Sequence, residues 1–439
     1  MVFSRYLNHL NIKNILKSTF VRNVAMIAGG TVIAQLVTIA FSPIITRLYG
    51  PETFGILGVF LSVTTLLSTV SSLCYVYAIV LPKEDKDGLS LLYLSLKIAA
   101  IISLILVGIM LLFRQYIAVL LNMEAVAPYL FLVPISVFFI ALANGYDQWL
   151  IRKKNFKASS AITVVQSISL NGLKTGVGFF VPFASVLIGL SAFGNVLHAF
   201  LSWIFSHKSI KPIKKTMDHH NNGHSKNLAY EYRDFPLFRA PQYFIDSASR
   251  NLPIVLLASL FGPAAAGFYA VGVRVLTLPS AFIAQALGKV FLPRITEAVH
   301  KGENIQKHII KATIGLALVG VIPYGLVVTF GPLLFSLVFG AEWVRAGEYA
   351  RWVGLWLFFA FMNVPSVQAI AILGMQRWFL KYEIISSISK FIALILGFYV
   401  FKNDLYAVFL FSIVGAISYI FLILWVIKQS QYCLRWDKK

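Results

Sequence analysis

The chain has 439 residues, 58% of them hydrophobic and only 13% charged. Soluble domains carry roughly 25% charged residues, so this balance excludes an ordinary soluble fold. Two cysteines give no disulfide framework and no metal spacing, and the net charge of +21 must be placed along the chain before it says anything about a partner.

Apolar runs of about 20 residues, the length that crosses a hydrocarbon core, recur along nearly the whole sequence. The expected fold class is an all-α polytopic membrane protein with about 12 transmembrane helices in two six-helix lobes. Residues 1–22 form an N-terminal segment in which Leu7, Leu10, Ile12, Ile15, Leu16 and Phe20 alternate with Lys13, Lys17 and Arg22, the pattern of an amphipathic helix on a membrane surface. The N-lobe, 23–206, holds spans near 23–48, 54–81, 89–113, 127–150, 158–180 and 183–206. The first run is too long for a signal-peptide core and lacks a small-residue cleavage site. A polar linker, 207–235, contains the tract HHNNGH at His219 to His224, which reads as a solvated loop rather than a metal site. The C-lobe, 236–428, holds spans near 236–260, 263–291, 309–338, 347–374, 380–401 and 405–428, and a tail, 429–439, follows.

One pattern occurs twice in register. Leu48 to Gly55 reads LYGPETFG and Leu260 to Gly267 reads LFGPAAAG, 212 positions apart. Each closes one apolar run and opens the next, and Leu81-Pro82 and Leu292-Pro293 repeat 211 apart. Duplicated halves in a chain this apolar point to a transporter. Six spans per lobe give both lobes one orientation, with a pseudo-two-fold axis along the membrane normal. Gly and Pro suit a tight helix-to-helix turn, which explains the motif without a binding role.

Basic residues set the orientation. The N-terminal segment, the loops after spans 2, 4, 8 and 10, the linker and the tail together hold 26 of the 38 Lys and Arg. The opposite loops hold Arg47, Arg114, Arg345, Arg351 and Lys402. Basic loops stay in the cytoplasm, so both termini and the linker are expected there. The charge is a topology signal, and no nucleic-acid partner is expected.

Seven cations fall inside spans: Lys97, Lys174, Arg239, Arg250, Arg274, Lys289 and Lys390. Arg239 and Lys289 are near span ends and can snorkel to the interface. Lys97, about 12 Å in, suits the interface or the interior equally. Arg274 and Lys390 are roughly 15 Å deep, near the midplane, and Lys174 and Arg250 lie in the other half of the bilayer from the linker. A charge at that depth costs at least about 2.5 kcal/mol and normally faces the bundle interior or a water-filled cavity. The acids in spans do not balance them: Asp246, near the midplane of span 7, is spaced four residues from Arg250 and able to pair with it, and Asp147 sits near the end of span 4. Asp246 can neutralise one cation. An excess of Arg and Lys in a mid-membrane cavity suits an anionic head group such as phosphate. Polar side chains including Gln35, Asn144, Gln166, Asn171 and Asn363 serve interhelical hydrogen bonds or line a cavity for sugar hydroxyls. Gly29-Gly30, Pro43, Pro253 and Pro279 mark bends or tight packing.

Several stretches resemble the Wzx-type flippases of O-antigen and capsular repeat units, in the polysaccharide branch of the MOP exporter superfamily. They are VRNVAMIAGGTVIAQLVTIAFSPIITRLYGPETFGILG from Val21, YAIVLPK from Tyr77 and IRKKNFKA from Ile151. In the second lobe they are EYRDFPLFRAPQYFIDSASRNLPIVLL from Glu231, GFYAVGVRVLTLPSAFI from Gly267 and FGPLLFSLVFGAEWVRAGEYAR from Phe330. The resemblance spans nearly the whole chain except the linker. It implies a multi-pass protein of the bacterial inner membrane, not an enzyme. Its substrate would be an undecaprenyl-diphosphate-linked oligosaccharide, moved from the inner to the outer leaflet by alternating access. Membrane lipids and the polysaccharide polymerase machinery are the implied partners. No cofactor or metal is implied, and coupling to a proton or sodium gradient is. On this reading Arg250, Arg274, Lys174, Lys390 and Lys97 form the cationic cavity, and Asp246 organises them or carries the coupling ion. One departure stands out: relatives often have a basic residue and an acid flanking the tyrosine before YAIVLP, and this chain has Cys74-Tyr75-Val76.

Other classes fit less well. A facilitator-type transporter carries Gly-x-x-x-Asp-Arg after span 2, where this chain reads PKEDKDG. Exporters of cationic drugs favour acids in the cavity. A polymerase or glycosyltransferase needs acids or nucleophiles on a sizeable loop.

Overall fold

A computed structural model describes residues 19–120, 122–215, 222–277, 291, 295, 303–373 and 375–431. The HHNNGH histidines at 219 and 220, Pro279, Gln285, Lys289, the Leu292-Pro293 pair and most of the amphipathic N-terminal segment lie outside these residues. Among the described residues the chain is helical, with no strand.

α1 (Thr19–Val70) carries the first two spans and breaks at Gly50, whose φ of 68° no L-residue adopts cheaply. The second span was expected to run to 81, but the helix stops at Val70. Leu73 and Cys74 take positive φ, 48° and 61°, and the chain continues as a 3-10 turn, Tyr75–Val80. α2 (Asp85–Leu120), α3 (Leu132–Arg152), α4 (Phe156–Gly178), α5 (Ala184–Lys215) and α6 (Asn222–Glu231) follow. Asn155 caps α4, its side chain accepting from the Ala158 N–H. A π-helical turn, Phe235–Arg239, leads into α7 (Ala240–Phe261), and residues 263–277 form α8. α9 (Ile305–Phe339), α10 (Val344–Met362), α11 (Val364–Ile372), α12 (Gln376–Phe401) and α13 (Asp404–Gln429) complete the order. Among the described residues every expected span overlaps a helix, the second ending early and the eighth being described only to 277 and at 291.

Among the described residues seven helices are long and apolar enough to cross a membrane, or eight with the pair α10–α11, bent by 43° at Asn363, taken as one span. Pro365 lies just past that bend and removes a helical N–H. α3 and α4 are not among the seven. Asn144, Asp147 and Gln148 on α3, and Gln166, Asn171 and Lys174 on α4, dilute their apolar character. Elsewhere large apolar side chains face outward: Leu104, Leu111 and Leu112 on α2, and Leu318 and Ile322 on α9, are well over half exposed. That is the surface a lipid tail solvates and water does not.

The chain forms two compact units, Met1–Tyr49 with Phe60–Asn251, and Gly50–Val59 with Leu252–Lys439. In the first, Tyr75, Ile79, Leu89, Leu92, Trp149 and Ile210 form a buried core that joins the 3-10 turn, α2, α3 and α5. Gly30 is a contact point there: a Cβ would come 1.9 Å from Ser160 Oγ on α4, so this glycine permits close helix packing. In the second unit, Ile305, Ile309, Ala369, Ile370, Leu422 and Val426 form a core between α9, α11 and α13.

The second unit also holds both copies of the repeated turn. Gly50 and Gly262 both have positive φ, 68° and 89°, where a helix ends and the next begins. The last glycines make a reciprocal contact. A Cβ on Gly55 would fall 1.7 Å from the Pro263 carbonyl oxygen, and one on Gly267 would fall 2.0 Å from that of Pro51. Each copy thus supplies the proline carbonyl that fills the space left by the other's glycine.

Candidate functional site

In the first unit, α7 carries Asp246 and Arg250 one turn apart. Arg250 Nε donates to both carboxylate oxygens, at 3.0 and 3.2 Å, so the expected pair forms. The Arg250 side chain is nevertheless 75% exposed. Lys174 is half-buried on α4, where its carbonyl accepts the Tyr49 hydroxyl at 2.9 Å. Lys97 is exposed on α2. Arg239 is exposed in the π-helical turn.

In the second unit, Arg274 is exposed on α8, and Lys390 on α12 is buried. Lys390 Nζ lies 5.6 Å from the centre of the Trp356 ring on α10. A ring face attracts a cation and lowers the penalty of holding it away from water.

Three polar clusters escaped the sequence reading. Arg152, counted there as one of many orienting charges, is only 7% exposed. Its guanidinium donates to Asp85 Oδ1 at 2.9 Å, to the Ile79 and Pro82 carbonyls at 2.9 and 2.8 Å, and to the Glu84 carbonyl at 2.7 Å. It fastens the YAIVLPKED segment to the end of α3, and Lys153 pairs with the same aspartate. Arg345, expected as a plain outer-loop charge, binds Glu348 at 2.6 Å and also Asp404, which takes the Tyr349 hydroxyl at 2.6 Å. Asp147, seen in the sequence as a lone acid, is held by His198 and Ser202 of α5. Apart from Glu348, three residues from Arg345, the partners lie 50 to 75 residues away in sequence, and only the pattern of polar residues at 147, 166, 198 and 202 hints at any of them.

No curated protein matches the chain in sequence. Solved structures match over almost its full length. An inward-facing multidrug resistance MATE family transporter of the MOP superfamily superposes with a TM-score of 0.70, at 14% identity, over 91% of this chain and 95% of that one. The lipid II flippase MurJ in an inward closed conformation gives 0.72, at 14% identity, over 93% and 89%. A MOP superfamily transporter from Pyrococcus furiosus, described as having a binding pocket of reversed polarity, gives 0.55, at 12% identity, over 94% and 96%. These likenesses establish a MOP-type fold. The family profile described as polysaccharide biosynthesis protein matches residues 44–348, well over half of the chain, and the protein belongs to that family.

Proposed function

We propose that this protein is a flippase that carries undecaprenyl-diphosphate-linked oligosaccharide repeat units from the inner to the outer leaflet of the bacterial inner membrane by alternating access. The observation that carries this reading is the sign of the charge at depth. Lys97, Lys174, Arg250, Arg274 and Lys390 lie well inside their helices and outnumber the acids so placed, which include Asp246, bound to Arg250, Asp147, bound to His198, and Glu383 on the helix of Lys390. Cations at that depth match a diphosphate, Arg by bidentate hydrogen bonds and Lys as a point charge. Membership of a polysaccharide biosynthesis family supports a sugar-bearing substrate. A drug exporter for cationic compounds would call for the opposite sign. The pairing of Asp246 with Arg250 favours an organising role for that acid over ion coupling.

The test is a strain deleted for this gene. Lipid-linked repeat units that accumulate on the inner leaflet, and clear when the chain is restored, support the flippase. Unjoined units exposed outside support a polymerase and defeat it.

A further inference from the structure

The polar residues of α3, α4 and α5 converge on one histidine. Gly194, His198 and Ser202 are spaced four apart and share one stripe of α5. Gln166 on α4 donates from Nε2 to the Gly194 carbonyl at 2.9 Å, and its Oε1 lies 2.6 Å from His198 Nδ1. Across the ring, His198 Nε2 lies 2.9 Å from Asp147 Oδ2 on α3, and Ser202 Oγ donates to Asp147 Oδ1 at 2.8 Å.

The donors and acceptors fix the protons. A backbone carbonyl only accepts, so Gln166 must turn its NH2 to Gly194 and its oxygen to His198. His198 Nδ1 therefore carries a hydrogen. Nε2 then meets a carboxylate oxygen across a gap that requires one proton, held as imidazolium with carboxylate or as imidazole with carboxylic acid. Without that proton a nitrogen lone pair faces an anion at 2.9 Å, which is repulsive. With a second one, both partners are donors. The geometry shown belongs to the state with one proton.

We propose that Asp147 and His198, keyed by Gln166, form a binding site for a single proton, and that release of this proton to water loosens α3 from α5. The pair is reachable, with His198 19% and Asp147 27% exposed. The other ionisable groups on the surrounding helices make none of the pair's hydrogen bonds. On α3, Tyr146 is the sequence neighbour of Asp147, and Arg152 and Lys153 bind Asp85. Lys157 and Lys174 on α4, and His207 on α5, stand eight or nine residues from Gln166 and His198, about 12–14 Å along their helices. From α2, Gly145 meets Leu92 and Leu96, with Tyr93 and the exposed Lys97 beside them. From α1, Tyr49 reaches the Lys174 end of α4. Among the described residues no other ionisable side chain hydrogen-bonds the pair. Resting on the flippase reading, release of this proton is a step of the transport cycle.

The direct test is ¹⁵N-histidine NMR of the full chain in lipid nanodiscs, with His198 assigned from His198→Gln. The expected result is a protonated Nδ1 throughout and a single titration at Nε2 that is lost in Asp147→Asn. Trp149, whose Nε1 donates to Ser209 on α5 at 3.0 Å, reports separation of α3 from α5. Its fluorescence, isolated by subtracting Trp149→Phe, should change at the same pH. If Asp147→Asn fails to insert, Gln166→Leu takes its place, and the expected result is loss of the Nδ1 preference. A His198 that keeps its neutral hydrogen on Nε2, or that titrates identically in Asp147→Asn, overturns the site. In cells, pH-dependent export whose pH dependence is lost in His198→Gln supports the link to transport, and an unchanged dependence overturns it. A wild-type chain that fails to restore export at any pH strikes the flippase reading, not the site, which the NMR titration measures without it.

Discussion

The carbonyl oxygen of Pro263 stands 1.7 Å from where a Cβ on Gly55 would be, and that of Pro51 makes the matching approach to Gly267. The two repeated turns are therefore a single self-complementary contact. A helix at either position with any side chain must move back.

Gly55→Ala and Gly267→Ala should each lower thermal stability, by about 1–3 kcal/mol, the usual range for overpacking. Gly50→Ala loses about 1–3 kcal/mol through its backbone alone, because φ 68° with ψ 170° is a region essentially reserved for glycine. Melting of the detergent-solubilised chain checks both. A double Gly55→Ala, Gly267→Ala variant should be less destabilised than the sum, because either one already opens the contact.

Arg152→Ala should release the segment from Ile79 to Asp85. It strands several carbonyls, while Asp85, 45% exposed, keeps Lys153, so the loss should be about 1–3 kcal/mol. Arg152→Lys should recover little, because an ammonium cannot span four acceptors. Gly88→Ala should act on the same latch, since its Cβ would sit 2.7 Å from Arg152 Nε. Limited proteolysis of this segment reads all three.

Lys390→Met separates binding from folding. Met keeps the length and apolar stem of the lysine, so the buried volume is retained and the melting temperature should change little. Export should fall if Lys390 attracts the anionic head group. Trp356→Leu should reduce both, because it removes the ring beside the cation.

Much of this was legible in the sequence, because it is written locally. Apolar run length marks spans, and Gly-Pro marks the turns that end them. The Asp246–Arg250 pair followed from helical spacing alone. What was not legible depends on partners far apart. Arg152 looks like Lys153 and Lys154 beside it, and its acceptors are mostly backbone carbonyls, which no side-chain pattern records. His198 is one of eight histidines and has no motif around it. The end of the second helix at Val70 was hidden because Leu73 and Cys74 are apolar residues in a left-handed turn, where glycine would have signalled it.

The measurement that bears most directly on the flippase account is the leaflet distribution of lipid-linked repeat units in a deletion strain. The strain is complemented with the wild-type chain or with the inserted variants Arg250→Ala and Arg274→Ala. The account predicts units on the inner leaflet without the chain, transfer outward with it, and a block at the inner leaflet again in both variants. Normal export by both variants would contradict the cationic site, and outward units in the deletion strain would contradict the flippase itself.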